Sequence, residues 1–233
     1  MSIADHCGDR VRTEADATVT LLEGDGLTLP AADFVAEDPS GTVLVLLHQT
    51  GMLGLCGWST FASQAAEAGL SSVAVDMCGY AAAECDDEAT PPEDQVELAV
   101  AHAKDELDAQ KVVLVGASMG GSQTVLAVAH GVEVDAWVDL SGPSVWEGST
   151  LLDVAPDVQA RGLPGLVAHA PDDDAQQYAA AQALAPAAGA EFLDGQSGHG
   201  WTLLNDNQGT LRPDAQALID FLLAVSPHDA HFG

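Results

Sequence analysis

Short runs of apolar residues alternate along this chain with longer segments in which apolar residues recur at helical spacing. The short runs are apolar at nearly every position, which is typical of strands buried on both faces of a parallel sheet. The predicted strands are residues 42–47, 72–75, 112–115, 134–140, 163–170 and 191–193. The predicted helices are residues 58–68, 93–109, 125–129, an alanine-rich segment that ends near residue 184, and 213–225. This alternation predicts an α/β fold, with a doubly wound, mostly parallel sheet and helices on both faces.

The chain ends and one inner segment depart from this alternation. Residues 17–22 and 27–37 flank a turn-forming Gly-Asp-Gly sequence and predict an antiparallel pair at the sheet edge. Residues 1–16 predict a loose N-terminal arm and residues 227–233 a C-terminal tail, which leaves 17–226 as a single α/β domain. Residues 141–162 show little periodicity, and we expect an irregular connection with room for one short helix, too short for a large cap domain.

The charge balance is strongly acidic, since 6 Lys and Arg residues face 36 Asp and Glu residues, a formal net charge of -30. Phosphate groups are bound by clustered basic side chains, so this composition excludes nucleic acid and anionic lipid as partners. So many carboxylates repel one another at low ionic strength, whereas a Debye length of about 3 Å in 1 M salt screens that repulsion. The composition therefore favours a halophilic protein over an ordinary acidic mesophilic one.

The four cysteines have neither zinc-ligand spacing nor the density of a disulfide-rich scaffold, and we expect separate reduced thiols: Cys7, Cys56, Cys78 and Cys85. Cys78 and Cys85 fall in one loop and could pair in an exported protein. No apolar stretch reaches the length of a membrane span, and residues 1–16 are too polar for a signal peptide. The expected location is cytoplasmic, with an exported mature form that has lost a leader as the alternative.

The candidate chemistry centres on residues 111–124, K-V-V-L-V-G-A-S-M-G-G-S-Q-T. A buried strand ends at Gly116 and a helix follows, so Ser118 lies on a sharp turn whose neighbours Gly116 and Gly120 lack bulk. The first amides of that helix, including the N–H of Met119, point at the space in front of the serine. A small-residue turn between a core strand and a core helix is the alternative, but the strand, G-x-S-x-G and helix together predict a catalytic serine.

A serine hydroxyl needs a neighbouring base to become a nucleophile, and histidine is the side chain whose pKa suits that task. His199 is the best placed of the eight histidines, because it follows a strand end and lies between Gly198 and Gly200. His48 ends a strand and His169 lies inside one. The remaining histidines fall in predicted helices or tails: His6, His102, His130, His228 and His231. His199 is therefore the predicted base.

These motifs resemble an α/β-hydrolase of the small, cap-less bacterial type over residues 17–225, with Ser, acid and His in the order of that family. The resemblance implies an acid among Asp172, Asp173 and Asp174, which follow the strand at 163–170. Asp173 matches the position of the family's acid best, and Asp172 is next. Asp174 suits the N-cap of the following helix.

The same resemblance implies an oxyanion hole formed by the N–H of Met119 and one N–H from the loop that begins at His48. Thr50 is the better second donor on alignment to His48, which usually orients this loop in the family, and Gln49 is the alternative. Gln49 also departs from the family, where a glycine usually follows this histidine. Loop residues on the same face would bind substrate in an apolar acyl pocket: Gln49, Met52, Leu53, Trp58, Trp146 and Trp201. For each tryptophan, ordinary packing is the alternative.

Together these residues predict a serine esterase that works through an acyl-enzyme, with Ser118 as nucleophile, His199 as base and Asp173 as orienting acid. An open site would admit small-molecule esters with short or medium acyl groups, lactones or a polyester. The alternatives are a thioesterase or acyltransferase with the same triad, or a non-catalytic member of the fold that binds a ligand. The sequence has no metal or cofactor motif, so no cofactor is expected, and the oligomeric state stays open.

Overall fold

The computed structural model of the protein describes residues 1–8, 17–24, 26–81, 83–85, 91–206 and 209–226. Residues 9–16 of the predicted arm, the predicted tail with His228 and His231, and Asp25 of the predicted turn lie outside these residues. Within them, the chain forms a mixed sheet with helices on both faces, which confirms the predicted fold class. The division into arm, domain and tail stays a prediction.

The main sheet has nine strands among the described residues, and six of them are parallel. The strands in chain order are β1 Thr18–Gly24, β2 Leu27–Phe34, β3 Thr42–Leu47, β4 Ser71–Val75, β5 Glu84–Cys85, β6 Lys111–Ala117, β7 Ala136–Leu140, β8 Val145–Trp146, β9 Ser149–Thr150, β10 Gly165–His169 and β11 Glu191–Asp194. Their order in the main sheet is β1-β2-β4-β3-β6-β7-β10-β11, with β5 paired to β2, while β8 and β9 form a separate hairpin. All pairings from β4 to β11 are parallel, and β2 runs antiparallel to its neighbours.

Helices cover both faces of the sheet and close two apolar cores. They are α1 Ile3–Cys7, α2 Ser59–Glu67, α3 Pro92–Asp105, α4 Met119–Ala129, α5 Leu151–Arg161, α6 Ala175–Ala187 and α7 Pro213–Val225. The first core contains residues of α1, α2 and α7, and the second contains residues of α3, α4, α5 and α6. Leu44 and Leu46 of β3 lie in the first core, whereas Val43, Val45 and Leu47 lie in the second, because successive strand side chains point to opposite faces.

The direction of the chain across the sheet reverses between the adjacent strands β3 and β6. The connection after β3 leads through α2 to β4 on one side, whereas the connection after β6 leads through α4 to β7 on the other. The two connections diverge and leave a crevice at the carboxyl ends of these strands, which is the usual place for a ligand in an open α/β sheet. His48 and Ser118 follow these two strand ends.

Residues 1–8 belong to the folded domain. Ser2 caps α1 by accepting a hydrogen bond from the N–H of Asp5, and both Ile3 and Cys7 are buried in the first core. The N–H of Val19 in β1 donates to the carbonyl of residue 1 over 2.8 Å, which fixes the helix to the sheet. The prediction of a loose arm is wrong for these residues, because two buried residues spaced four apart are too few to form a recognisable period.

Residues 141–162 are more regular than the sequence suggests. The β8–β9 hairpin is followed by α5, a helix of 11 residues that contains Pro156. Proline normally disrupts a helix interior, but Leu151, Ala155 and Val158 recur at helical spacing and are buried in the second core. This is the one helix for which the predicted irregular connection left room, and burial of its apolar face outweighs one missing backbone hydrogen bond.

The four cysteines form two disulfide bonds, Cys7–Cys56 and Cys78–Cys85. The first joins α1 to the 3-10 helix Gly54–Trp58, which lies between β3 and α2. The second closes the loop after β4. The prediction of separate reduced thiols is wrong, because a tertiary contact brings together two cysteines that are 49 residues apart in sequence.

Basic side chains among the described residues lie mostly away from the crevice. Lys111 begins β6 at its amino end and donates to a backbone carbonyl over 2.8 Å. Lys104 donates to the carbonyl of Glu133 over 3.2 Å, and Arg161 pairs with the carboxylate of Glu133 at 3.3 Å. Because Glu133 precedes β7, all three cations lie at the amino edge of the parallel strands. Arg212 is different, since it binds the loop that follows β11.

Candidate active site

Ser118 lies on the turn between β6 and α4, in a backbone conformation that non-glycine residues rarely adopt. Its φ is 50° and its ψ is -114°, and its N–H donates to the carbonyl of Leu140 over 2.7 Å. A Cβ atom at Gly116 would overlap the carbonyl of Gly120, and one at Gly120 would overlap that of Leu47. The two glycines therefore let the helix approach the strands closely enough to form this turn, and such strain is typical of functional sites.

His199 and Asp173 form a hydrogen-bonded pair at the same edge of the sheet. His199 Nδ1 lies 2.6 Å from Asp173 Oδ2. A carboxylate oxygen can only accept, so Nδ1 carries a proton, and in the neutral ring Nε2 keeps its lone pair. This is the tautomer that a general base needs. The side chains are 42% and 20% exposed, so solvent reaches the pair.

Asp173 is the one of the three adjacent aspartates that contacts His199. Asp174 accepts hydrogen bonds from the N–H groups of Gln176 and Gln177, both at 2.9 Å, and caps α6 as the sequence predicts. Asp172 is exposed. Among the described residues, no group of three or more His, Cys, Asp or Glu side chains could hold a metal ion.

Three further side chains fix the loop that carries His199, and none of them was predicted from the sequence. The N–H of His199 donates to Thr202 Oγ1 over 2.8 Å, and this hydroxyl donates to the His199 carbonyl over the same distance. Asp214 and Arg212, at the start of α7, bind a backbone N–H and a backbone carbonyl of the same loop. The available signal was a threonine three residues after His199, as in a helix cap.

The loop of His199 packs against the end of β6. A Cβ atom on Gly200 would lie 3.3 Å from the Cβ of Ala117, the residue before Ser118. Gly200 also lies against Gln49 Oε1, a buried oxygen that has no hydrogen bond among the described residues. Three loops therefore meet beside Ser118. In the described part of the chain no hydrogen bond joins the Ser118 hydroxyl to His199, and such bonds often shorten only when substrate is bound.

His48 is fully buried at the end of β3. Its Nδ1 lies 2.8 Å from the carbonyl of Gln49, and its Nε2 accepts from the N–H of Met77 over 3.0 Å. Burial lowers the pKa of His48, although the hydrogen bond to Gln49 and the charge of Asp76 act in the opposite direction. The ring is therefore neutral with both nitrogens occupied by backbone groups, so it orients the loop and has no free nitrogen to act as a base.

The hydrogen bonds of this loop indicate which amide faces the crevice. The His48 carbonyl accepts from the N–H of Gly120 over 3.2 Å, and the Gln49 carbonyl accepts from the His48 ring. In a trans peptide the N–H points away from the preceding carbonyl. The N–H of Gln49 thus points away from α4, whereas the N–H of Thr50 points away from the buried ring. Thr50 is the better directed of the two for an oxyanion.

Asp76 supports the same loop from the core and was also missed. It is fully buried, and its Oδ1 accepts from the N–H of Leu55 over 2.7 Å. Its Oδ2 lies 3.6 Å from Nε2 of His6 on α1. This contact and the Cys7–Cys56 disulfide therefore hold the N-terminal helix against the segment that follows β3. The sequence assigned His6 to an arm, so this contact could not be foreseen.

No protein-family model matches the sequence, and no curated protein matches it. Solved structures do match. Est1E from Butyrivibrio proteoclasticus, with ferulic acid bound, superposes with a TM-score of 0.70 at 17% identity, over 88% of this chain and 98% of that one. The Pyrococcus furiosus esterase Pf2001 gives 0.66 at 12% identity, over 91% and 92%. A thioesterase domain from the curacin biosynthetic pathway gives 0.63 at 14% identity, over 89% and 99%. The chain has the α/β-hydrolase fold.

Within this α/β-hydrolase fold, the hairpin of β8 and β9 is the whole of the connection between β7 and α5, so no large cap covers the described site. Of the predicted lining residues, Met52 is 85% exposed and Trp146 is half-buried on the hairpin. Trp58 and Trp201 are instead buried in the first core, where their rings meet edge to face with centroids 6.0 Å apart. Ordinary packing accounts for these two rings.

Asp139 is a buried acid behind the turn between β6 and α4. Its Oδ1 accepts from the N–H of Gly142 over 2.7 Å and lies against Gly121 of α4. Burial raises the pKa of Asp139 to about 7, although the hydrogen bond from Gly142 opposes the rise. A group that packs against α4 therefore changes its charge near neutral pH.

Proposed function

We propose that the protein is a serine hydrolase that cleaves carboxylic esters through an acyl-enzyme intermediate. The observation that carries this proposal is the 2.6 Å hydrogen bond between His199 Nδ1 and Asp173 Oδ2, in a loop packed beside the strained turn at Ser118. A serine at such a turn with an oriented imidazole nearby suits nucleophilic acyl transfer. Structural neighbours named as esterases support the same class.

The first half of the reaction forms the acyl-enzyme. Ser118 Oγ attacks the ester carbonyl carbon while His199 Nε2 takes the hydroxyl proton, and the carbonyl electrons move onto oxygen. The N–H groups of Met119 and Thr50 donate to that oxyanion. Asp173 keeps the imidazolium oriented through Nδ1. The tetrahedral intermediate then breaks its bond to the alkoxy oxygen, which receives the proton from His199 Nε2 and leaves as the alcohol.

The second half releases the acid. Water attacks the acyl carbonyl and gives a proton to His199 Nε2, and the intermediate collapses by breaking the bond to Ser118 Oγ. The serine recovers its proton from His199, and the carboxylic acid leaves. Both halves use the same five groups in the same places, so the loss of any one of them should affect both halves.

The substrate that fits the proposal is a small or accessible ester. Met52 and Val145 are 85% and 54% exposed on loops at the carboxyl edge of the sheet, and they would contact an apolar substrate at an open site. Short or medium acyl esters, lactones and an exposed polyester are all compatible with such a site. Thioester hydrolysis would use the same residues, and a matched oxygen ester and thioester would separate the two activities.

Two disulfides also bear on where the protein works. Disulfide bonds persist in oxidising compartments and are rare where thiols are kept reduced. Cys7–Cys56 and Cys78–Cys85 therefore favour an exported protein over the cytoplasmic location expected from the sequence. Mapping of thiols in protein isolated from its native source would test this choice.

A fluorophosphonate probe tests the proposed nucleophile directly. We expect the folded protein to be labelled at Ser118 and the Ser118→Ala variant not to be labelled. Ser122→Ala is the matched control, because Ser122 lies one turn later on α4 and its hydroxyl donates to the carbonyl of Pro143 over 2.8 Å. That variant should label normally. A folded protein that is not labelled would support a ligand-binding member of the fold instead, and p-nitrophenyl esters of increasing chain length would define the acyl range.

A further inference from the structure

A second imidazole lies against the acid of the proposed triad. His169 is the last residue of β10 and is 1% exposed, and its Nε2 lies 3.6 Å from Oδ2 of Asp173. This is the same carboxylate oxygen that contacts His199. Nε2 of His169 is buried and has no hydrogen bond among the described residues. Asp173 therefore lies between one exposed and one buried histidine.

The two groups that face the ring of His169 are both hydrogen-bond acceptors. Its Nδ1 lies 3.2 Å from the carbonyl of Ala170, and its Nε2 faces the carboxylate of Asp173. A neutral imidazole carries one N–H, whereas both of these oxygens can only accept. Whichever nitrogen carries that proton, a neutral ring turns a lone pair toward one of the two oxygens. The imidazolium offers a proton to each oxygen.

We propose that His169 is a positioning residue that, in its protonated form, holds the Asp173 carboxylate where Oδ2 can accept from His199. The inference rests on the proposed function, because Asp173 acts on the reaction through His199. This role also explains how Asp173 keeps one orientation. Asp173 lies on a turn that is open to solvent, whereas His169 is fixed at the end of the buried strand β10.

Few titratable groups other than Asp173 face the ring of His169. From α6, the Tyr178 ring meets it edge on at 6.2 Å, and the Tyr178 hydroxyl donates to Asp194 of β11 over 2.8 Å. Asp194 pairs with His169 in the β10–β11 register. From β7, Asp139 pairs with Val167, the residue two before His169, and so points to the same face of the sheet. The charged groups that lie nearest to the ring of His169 are therefore the carboxylates of Asp173 and Asp194.

Two substitutions at His169 separate the effect of its N–H donor from the effect of its charge. His169→Phe removes both, and His169→Gln keeps an N–H donor without a charge. His102→Gln is the matched control, because His102 Nε2 also contacts a carboxylate, Asp33 Oδ1 at 2.9 Å, but on α3 away from the crevice. Ester turnover would be measured for each variant as kcat, and as kcat/KM against pH.

His169→Phe should lower kcat by about tenfold, which is the loss of one polar contact to a charged carboxylate expressed as a rate. His169→Gln should restore most of kcat. Both should move the acidic limb of the kcat/KM profile to higher pH, because removal of a nearby positive charge lets His199 bind its proton more readily. His102→Gln should leave kcat and the limb unchanged. A purely structural role would lower the yield of folded protein without moving the limb in His169→Gln.

Nitrogen-15 NMR of histidine-labelled Ser118→Ala protein tests the contact without any turnover. We expect both ring nitrogens of His169 to be protonated at neutral pH, and Nε2 to lose its proton when Asp173→Asn is added. A neutral His169 ring that does not respond to Asp173→Asn would overturn the inference, and so would an unshifted limb in His169→Gln. If Ser118→Ala retained full esterase activity, the proposed function would fail, while the NMR result would still decide the state of His169. Should His169→Phe not fold, His169→Gln and the NMR experiment suffice.

Discussion

His48 and His199 follow strand ends at the same edge of the sheet, but their surroundings are opposite. The β3 loop, residues 48–58, holds a fully buried imidazole whose two nitrogens contact backbone groups, and a disulfide ties it to α1. The loops of the proposed acid and base, residues 170–174 and 195–199, are called the acid–base loops and hold a partly exposed imidazole that contacts one carboxylate. Position at a strand end is therefore not sufficient to identify a base. What decides is which groups already occupy the ring nitrogens.

The same difference predicts which substitutions change stability and which change activity. Contacts of the β3 loop are buried and mostly to the backbone, so their loss should cost free energy of folding. Contacts of the acid–base loops join partly exposed side chains, so their loss should affect chemistry with little effect on folding. Substitutions in the β3 loop should therefore lower the free energy of unfolding, and substitutions in the acid–base loops should lower turnover.

The largest expected effect comes from exchanging the two histidines for alanine. His199→Ala should lower kcat by about 10³-fold or more with an unchanged melting temperature. His48→Ala should instead lower the free energy of unfolding by about 2–4 kcal/mol, because it leaves a buried cavity and an unpaired backbone N–H. Ester turnover and urea denaturation of both variants measure this. Near-native kcat in His199→Ala would end the assignment of the base.

Within the acid–base loops, substitution of the three adjacent aspartates one at a time distinguishes their roles. Asp173→Asn should lower kcat by about 10²-fold or more, since the amide cannot hold the required tautomer of His199. Asp172→Asn should be close to neutral. Asp174→Ala should cost about 1 kcal/mol of stability through loss of the α6 cap, with little effect on kcat. An equal and mild loss of kcat in all three variants would place the acid elsewhere.

Removal of one disulfide at a time tests how much the covalent link between the β3 loop and α1 contributes to stability. With sequence separations of 49 and 7 residues, the chain-entropy relation gives about 4 kcal/mol for Cys7–Cys56 and about 2.5 kcal/mol for Cys78–Cys85. The double variant Cys7→Ser, Cys56→Ser should therefore unfold at lower urea than Cys78→Ser, Cys85→Ser. If the second pair proved the more stabilising, α1 would not be held mainly by its covalent link.

Asp139 lies behind the turn between β6 and α4, between the β3 loop and the acid–base loops. Its burial leads us to expect a pH dependence of stability. Its folded pKa of about 7 lies above the ordinary 3.8, so its contribution to stability is complete below pH 3.8 and is lost as pH rises through 7. Asp139→Asn keeps the acceptor for Gly142 and cannot ionise. We expect this variant to be more stable than the wild type by a few kcal/mol in mildly alkaline buffer and equal to it in acid. Urea denaturation across this pH range checks it, and parallel curves would contradict the assignment.

The smallest expected effect is the dependence of the melting temperature on salt, which screens exposed carboxylates such as those of the acid–base loops. With a net charge of -30, mutual repulsion of carboxylates destabilises the compact state, and added ions screen it. The melting temperature should rise by several degrees, with most of the gain reached by a few tenths molar sodium chloride. Sulfate at equal ionic strength is the control, because it also strengthens apolar burial. A melting temperature that does not change with chloride would remove the main support for a halophilic protein.

Much of the site was predictable because its signals are local. Ser118 follows from a strand, two glycines and a helix within a few residues, and the structure confirms those elements. His199 follows from glycines on either side. Asp173 could not be separated from its neighbours by pattern, since the direction of each side chain depends on how the turn packs.

The rest depends on contacts between distant segments. His169 and Asp76 acquire their partners only when strands are placed side by side, and Cys7 meets Cys56 only when α1 packs on the sheet. The bounds of α5 could not be predicted for another reason, because Pro156 is a strong local signal against a helix and burial of the apolar face overrides it.

The scarcity of lysine has a practical consequence for coupling chemistry. Lys104 and Lys111 are the two lysines of the sequence, and both lie at the edge of the sheet opposite the crevice. The amino group of Met1 donates to the carbonyl of Val19 over 2.9 Å. Beads activated to react with primary amines should therefore attach the protein chiefly through the lysine edge and present Ser118 to the surrounding liquid, in one orientation and without any engineered tag.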